Sequence, residues 1–326
     1  MAQRILESGQ IETLERREIP RLIPPAAQVF GIRARRLQAL APGHAIEGYL
    51  QLMARLCEAQ QQALDGLSPA VLADLREQAF GQRPAAAAEA GMPPLLAGDL
   101  QRDPIWREIL RTLCRKLGDA TGFPEPVAAI VGELVGTEDV ELEAQADALL
   151  DSAGAEPRNA ASAPFVMAAL QVYWTALAGD ERIHALHPMA DAPGLCPACG
   201  SAPVASQVHA RAPHAGHRYL ACALCSCQWH FVRVQCSRCG AMGKDIAYQT
   251  LTDAESEDNS AAREAGVRAE TCEACHGYRK ILYEEKDHGV EPVADDLASL
   301  ALDLLLGELG YARASQNPLL WQLAGD

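Results

Sequence analysis

The sequence predicts an α+β protein. An N-terminal all-α helical domain (residues 1–190) precedes two tandem four-cysteine ribbons (191–235 and 236–288), and a C-terminal helix and tail (289–326) close the chain. Three observations predict this. Apolar residues recur at helical spacing through the first half of the chain. Eight of the eleven cysteines fall in four C-x-x-C pairs, all beyond residue 195. The cysteine region is also self-similar, each copy carrying three strand-like runs.

The helical elements come first. Ile46, Leu50, Met53, Leu56, Cys57 and Leu64 form one apolar stripe. Asp103-Pro104 reads as a helix start, a capping carboxylate followed by proline in the first turn, and Ile105, Ile109, Leu113 and Leu117 continue that helix. Thr137 is the expected cap of "TEDVELEAQADALLDS", whose first-turn acids suit the helix dipole. "APFVMAALQVYWTALAG" is apolar on nearly every side and belongs inside the bundle. Proline and glycine clusters at 20–25, 41–43, 91–94 and 121–126 separate the helices. Cys57 and Cys114 lie on helical stripes and read as buried core thiols.

Composition bounds the function classes. The chain has 326 residues, 49% of them hydrophobic, and a net charge of -15, which argues against nucleic acid or an anionic membrane as partner. The opening "MAQRILESGQIETLERREIP" has no apolar core of a secretory signal, and "LASLALDLLLGEL" is interrupted by Asp303 and Glu308, so no membrane span is expected. A cytoplasmic location follows as an expectation, and there paired cysteines bind metal or do redox work more often than they form disulfides.

The two halves of the cysteine region align element by element. "CPACG", "APVASQVH", "HRYLA", "CALC" and "CQWHFVRV" match "CSRCG", "KDIAYQTL", "VRAET", "CEAC" and "GYRKILYEE". An acidic insert, "TDAESEDNSAAREAG" at 252–266, lengthens the second copy and reads as an exposed loop or short surface helix. Each C-x-x-C turn aims two sulfurs at one spot, and two turns on one small ribbon supply the tetrahedral thiolate set that zinc or a single iron takes. The repeat favours sequential pairing: Cys196, Cys199, Cys222 and Cys225 as one metal site, Cys236, Cys239, Cys272 and Cys275 as the other. Gly200 and Gly240 suit the left-handed turn after each first pair, and Ser226 and His276 depart from that pattern. Residues 226–235, drawn out as one strand of about 33 Å, would hold the sites apart. A structural metal contributes about 10–16 kcal/mol to folding such coreless modules.

Cys227 is expected as a packed thiol, and His209, His214, His217 and His230 as surface or partner contacts. No Asp or Glu occurs from Ala192 to Lys244, which reads as local compensation of thiolate charge, as a face for an acidic partner segment, or as a chance run in an alanine-rich chain. Asp295-Asp296 suits helix capping as well as a partner contact. Pro292 opens the last helix, Val293, Leu297, Leu300, Leu304 and Leu305 form its apolar face, and Gly310 stops it.

The runs "RYLACALCSCQWHFVRVQCSRCG" and "ETCEACHGYRKILYEEKDHGVEPVADDLASLALDLL", with the closing "NPLLW", resemble the formate dehydrogenase accessory proteins of the FdhE type over about residues 190–321. The family's four C-x-x-C motifs fall on Cys196/Cys199, Cys222/Cys225, Cys236/Cys239 and Cys272/Cys275 without departure. The resemblance implies a non-enzymatic cytoplasmic maturation factor. It implies binding to the catalytic subunit of respiratory formate dehydrogenase, a molybdenum and iron–sulfur enzyme, before twin-arginine export. It also implies rubredoxin-like centres, which favours iron over zinc. Tyr219, Trp229, Tyr278 and Tyr283 fit either shields for an iron centre or ribbon core. Two other classes stand beside this one: a rubredoxin-like redox or thiol protein acting in cofactor insertion, and a nucleic-acid-binding zinc ribbon.

Overall fold

The computed structural model describes residues 19–119, 124–151, 159–251 and 265–320. The acidic insert lies almost wholly outside them, as does the last residue of "NPLLW".

Among the described residues eight α-helices precede the first cysteine pair: α1 (Val29–Leu40), α2 (Glu47–Asp65), α3 (Pro69–Gly81), the short α4 (Ala85–Glu89), α5 (Ile105–Gly118), α6 (Glu125–Gly136), α7 (Asp139–Leu150) and α8 (Ala163–Ala178). The apolar sequence of α8 is buried along its whole length except at Met167, and α2, α3, α5 and α7 pack around it. Two of its interior polar side chains are paired, as burial favours. Gln171 accepts a hydrogen bond from Gln60 of α2 at 3.0 Å, and Tyr173 accepts one from the Asp103 backbone at 3.1 Å. Asp103 Oδ1 accepts the Ile105 N–H at 2.9 Å, as its position before proline foretold. Thr137 differs from expectation. Its hydroxyl donates back to Glu133 at the end of α6, and Glu138 is the residue that precedes α7. Threonine satisfies an orphan carbonyl at a C-terminus as readily as an N–H at an N-terminus.

Six strands follow where the repeat placed them: β2 (Pro203–Val208), β3 (Arg218–Cys222), β4 (Gln228–Phe231), β5 (Ile246–Gln249), β6 (Val267–Cys272) and β7 (Gly277–Tyr283). Each triplet is antiparallel. The ribbons are not held apart by residues 226–235. Ser226 and Val234 take left-handed turns at either end of β4, so the segment doubles back rather than extending. β2 and β7 then pair in parallel, Ser206 opposite Ile281 and Val208 opposite Tyr283, and fuse both ribbons into one sheet. Two very short strands complete it. β1 (Leu22–Ile23) sets Leu22 opposite Trp229, and β8 (Ala312–Arg313) joins the same edge of β7 that takes β2.

A buried ion pair locks the seam. Arg218 of β3 and Glu270 of β6 are 1% and 4% exposed, and the guanidinium donates two hydrogen bonds to the carboxylate at 2.8 and 2.9 Å. Ser206 of β2, the nearer of the two strands between them, accepts two more from Arg218. The fork geometry spans the parallel seam and leaves neither charge alone.

The last helix is broken at Ser299 into α9 (Pro292–Ala298) and α10 (Leu300–Glu308). The break changes which leucines turn inward. Leu302 and Leu306 bury against Ala269 and Tyr278, while Leu304 is 72% exposed. α9 packs on both α1 and β2. There Arg33 pairs with Glu291 at 3.1 Å, and Arg36 pairs with Asp295 and Asp287. Glu291 caps α9 by accepting the Val293 and Ala294 N–H groups. Asp295 accepts the Glu291 N–H at 2.7 Å, a capping contact at the start of α9, besides pairing with Arg36, while Asp296 serves as a buried ion-pair acceptor that takes Arg313 and Asn317.

Replacing Glu270 with Ala strands a buried guanidinium and is expected to cost about 3–5 kcal/mol. Leu304→Ala is expected to stay within about 0.5 kcal/mol. Urea unfolding of the two variants checks the contrast.

Candidate metal centres

Both first-pair turns are built alike. Cys196 N–H donates to Ser201 and Gly200 N–H to Cys196; Cys236 N–H donates to Ala241 and Gly240 N–H to Cys236. Gly200 and Gly240 have φ of 76° and 80°. Ser226 and His276, which follow the second pairs, take the same left-handed turn at 59° and 48° although neither is glycine. All four turns therefore present their sulfurs in one geometry.

The sulfurs meet as the sequential pairing predicts. In each set of four, every Sγ lies within 4.8 Å of the others. Cys196–Cys225 and Cys199–Cys222 are 3.5 and 3.4 Å apart; Cys236–Cys275 and Cys239–Cys272 are 3.8 and 3.6 Å apart. A metal–sulfur distance of about 2.3 Å in a tetrahedron gives an edge of about 3.8 Å. A disulfide would need about 2.05 Å, and all eleven cysteines are free. The cages thus fit one zinc-sized or iron-sized ion each, and the all-sulfur donor set suits either metal. Backbone N–H groups of Leu224 and Cys225 point at Cys222 Sγ, and that of Arg238 at Cys236 Sγ, contacts that orient a metal-ligating sulfur.

The two cages differ in setting. All four sulfurs of the first are buried within the core shared with Trp106, Trp174 and Trp229. The helical domain grips both of its turns through the backbone. Leu95 N–H donates to Ala198 at 2.9 Å and Ala97 N–H to Cys199 at 3.0 Å, while Gln171 donates to Ala223 at 2.7 Å. Gly200 leaves room for Leu96, whose Cδ1 would sit 2.5 Å from a Cβ there. The second cage has only a small cluster of its own, Cys236, Ile246 and Cys272 backed by Ala241 and Cys275. Cys239 is exposed and Cys275 half-buried.

The thiol chemistry follows. In the first cage burial works against ionisation, yet hydrogen bonds from Cys199, Cys222, Cys225 and Cys227 hold Cys196 well below the usual thiol range. Burial pushes Cys222 and Cys225 well above it. Cys227 is buried beside this cage and bonds to Cys196, a packed neighbour outside the set of four. In the second cage the Ala241 backbone N–H lowers Cys239, and burial pushes Cys275 up to about 12. Cys57 and Cys114, deep in the helical core, are also pushed up to about 12 by burial and are inert packing thiols.

The histidines take no part in either cage. His209, His214 and His230 ring Tyr219, and His217 stacks edge-on to His230. His209 is engaged by Gln228 and Glu284. Tyr219, Trp229 and Tyr278 are ribbon core: their polar tips reach Pro20, Pro193 and Asp303. Sequence reasoning missed Gln171 and the Leu95–Ala97 segment, whose roles depend on tertiary contact alone.

Three family models cover nearly the whole chain: FdhE, N-terminal, over residues 19–191; FdhE, central domain, over 195–233; and FdhE, C-terminal domain, over 234–320. A "Protein FdhE homolog" from Pseudomonas aeruginosa is 41% identical over 98% of this chain and 98% of its own length. One from Cronobacter sakazakii is 39% identical over 100% of both chains, and "Protein FdhE" from Salmonella arizonae is 37% identical over 100% of both. The crystal structure of the FdhE protein from Pseudomonas aeruginosa superposes with a TM-score of 0.74 at 39% identity, covering 93% of this chain and 99% of that one. With helical domain, twin sulfur cages and full-length similarity in agreement, the chain belongs to the FdhE family.

Proposed function

We propose that this protein is a cytoplasmic, non-catalytic maturation factor that binds the catalytic subunit of formate dehydrogenase, and that its two cysteine cages each hold one metal ion. The observation that carries it is the pair of four-sulfur cages in a chain that matches the FdhE family models over most of residues 19–320. Among the described residues, no helix is long and apolar enough to cross a membrane. Cys196, Cys199, Cys222 and Cys225 would hold one ion and Cys236, Cys239, Cys272 and Cys275 the other. Iron would supply a one-electron couple, whereas zinc would supply none.

The unequal burial of the cages divides their work. The first lies where helices and sheet are bonded together, so its ion is structural for the whole molecule. The second opens to solvent at Cys239, so its ion is the one a reagent or a partner reaches. That exposure is also what supports the second reading, a redox or thiol role during cofactor insertion.

Metal analysis and a visible spectrum on anaerobically purified protein are expected to give two ions per chain in four-sulfur coordination. A chelator is expected to release them in two phases, the second cage first. Cys199→Ser is expected to lower the melting temperature of the entire chain, and Cys239→Ser to leave the helical domain's melting unchanged. A single release phase, or equal melting losses, would contradict this division.

The partner is tested by expressing the chain with the formate dehydrogenase catalytic subunit. Co-purification of the two, and loss of formate dehydrogenase activity when the chain is absent, are the expected results. Full activity without the chain, or no co-purification, would remove the maturation role.

A further inference from the structure

Arg279 of β7 is 6% exposed, and among the described residues no carboxylate lies within ion-pair distance of it. Its guanidinium donates only to neutral acceptors: Ser237 Oγ at 2.7 Å, Ser315 Oγ at 2.6 Å and the Pro203 carbonyl. The nearest acids are committed elsewhere, Glu270 to Arg218 and Asp296 to Arg313. A buried cation without a partner costs several kcal/mol, so something must offset its charge.

The acceptors show what does. Ser237 lies inside the C-x-x-C turn of the second cage, between Cys236 and Cys239. Pro203 sits opposite Cys222 of the first cage in the β2–β3 register. The two cages are also neighbours. Gly194, just ahead of Cys196, has no room even for a Cβ, which would fall 2.0 Å from the Ser237 carbonyl oxygen. Arg279 therefore bridges the cages, and the Cys236 thiolate is among the charges that favour its protonated form. Burial lowers its pKa to about 9, which leaves it protonated at neutral pH.

We propose that Arg279 is the shared counter-ion of both cysteine cages, and that it couples their metal affinities. The inference rests on the metal-centre reading above. Each cage carries about -2 with a divalent ion, and two such charges in adjoining turns repel. One guanidinium hydrogen-bonded into the margins of both offsets part of each charge and part of the repulsion. Arg238 also borders the second cage, against Cys275 across Gly277, but it is exposed and reaches only that cage.

The test loads the full chain with Zn2+ and reads both affinities by competition with a chromophoric chelator. Arg279→Gln is expected to weaken both cages by about tenfold or more, the scale of one pKa unit of interaction. Arg279→Lys is expected to restore most of the loss. With iron in the cages, Arg279→Gln is expected to move both midpoint potentials negative, because the lost cation favoured the more negative reduced state. A packing role alone would move the melting temperature and leave the potentials in place. Weakening of one cage only, or of neither, would overturn the inference. Cys239→Ser keeps the question open to measurement should Arg279→Gln not fold. With the second cage disabled, the first is expected to bind Zn2+ several-fold more tightly, and an unchanged affinity would overturn the coupling. A wild-type chain that takes up no zinc in sulfur coordination would instead sink the metal-centre reading itself.

Discussion

Everything in this molecule is arranged around the hydrogen-bonded junction between the helical domain and the turns of the first cysteine cage. Three backbone carbonyls in those turns, at Ala198, Cys199 and Ala223, are taken by Leu95, Ala97 and Gln171. A C-x-x-C turn leaves such carbonyls exposed, and in an isolated ribbon water would take them. Here the donors come from a packed core, so the turns are rigid before any ion arrives. Gln171 also links onward through Gln60, an amide chain that runs from α2 through α8 to the cage. The helical domain is thus the support that holds half of the sulfur chemistry in place.

The second cage shows what the same sequence motif does without that support. Its turns have the same internal hydrogen bonds and the same left-handed residues, yet its apolar backing is a handful of side chains. The difference in exposure between Cys199 and Cys239 is a matter of neighbours, not of local design. Two copies of one module have been given different environments by being fused to different faces of one chain.

How much was legible follows from this distinction. The cages and the six main strands were readable because C-x-x-C spacing and the strand-like runs between the pairs are local and occur twice, so each copy checks the other. The helices at 47–65, 105–118 and 163–178 were readable from their stripes and starts. What escaped was tertiary. β1 and β8 are two residues each, too short to carry a pattern. The parallel β2–β7 seam joins segments that no spacing rule connects. The break at Ser299 moved the buried face from Leu304 to Leu302 and Leu306, a shift that a continuous heptad count cannot register. Asp295 does take the capping contact expected of an acid near a helix start, but Arg36, some 259 residues away, also reaches it, and Asp296 is taken by Arg313, neither of which a helix-start pattern can register.

The parallel seam also bears on how the chain comes off the ribosome. β2 is synthesised long before β7, and in the interval its outer edge is a bare row of peptide groups flanked by a guanidinium, Arg218, whose carboxylate has not yet been made. Such an edge invites a strand from another nascent chain. Until β7 emerges, that edge of the half-finished chain is the kind of surface that holding chaperones shield.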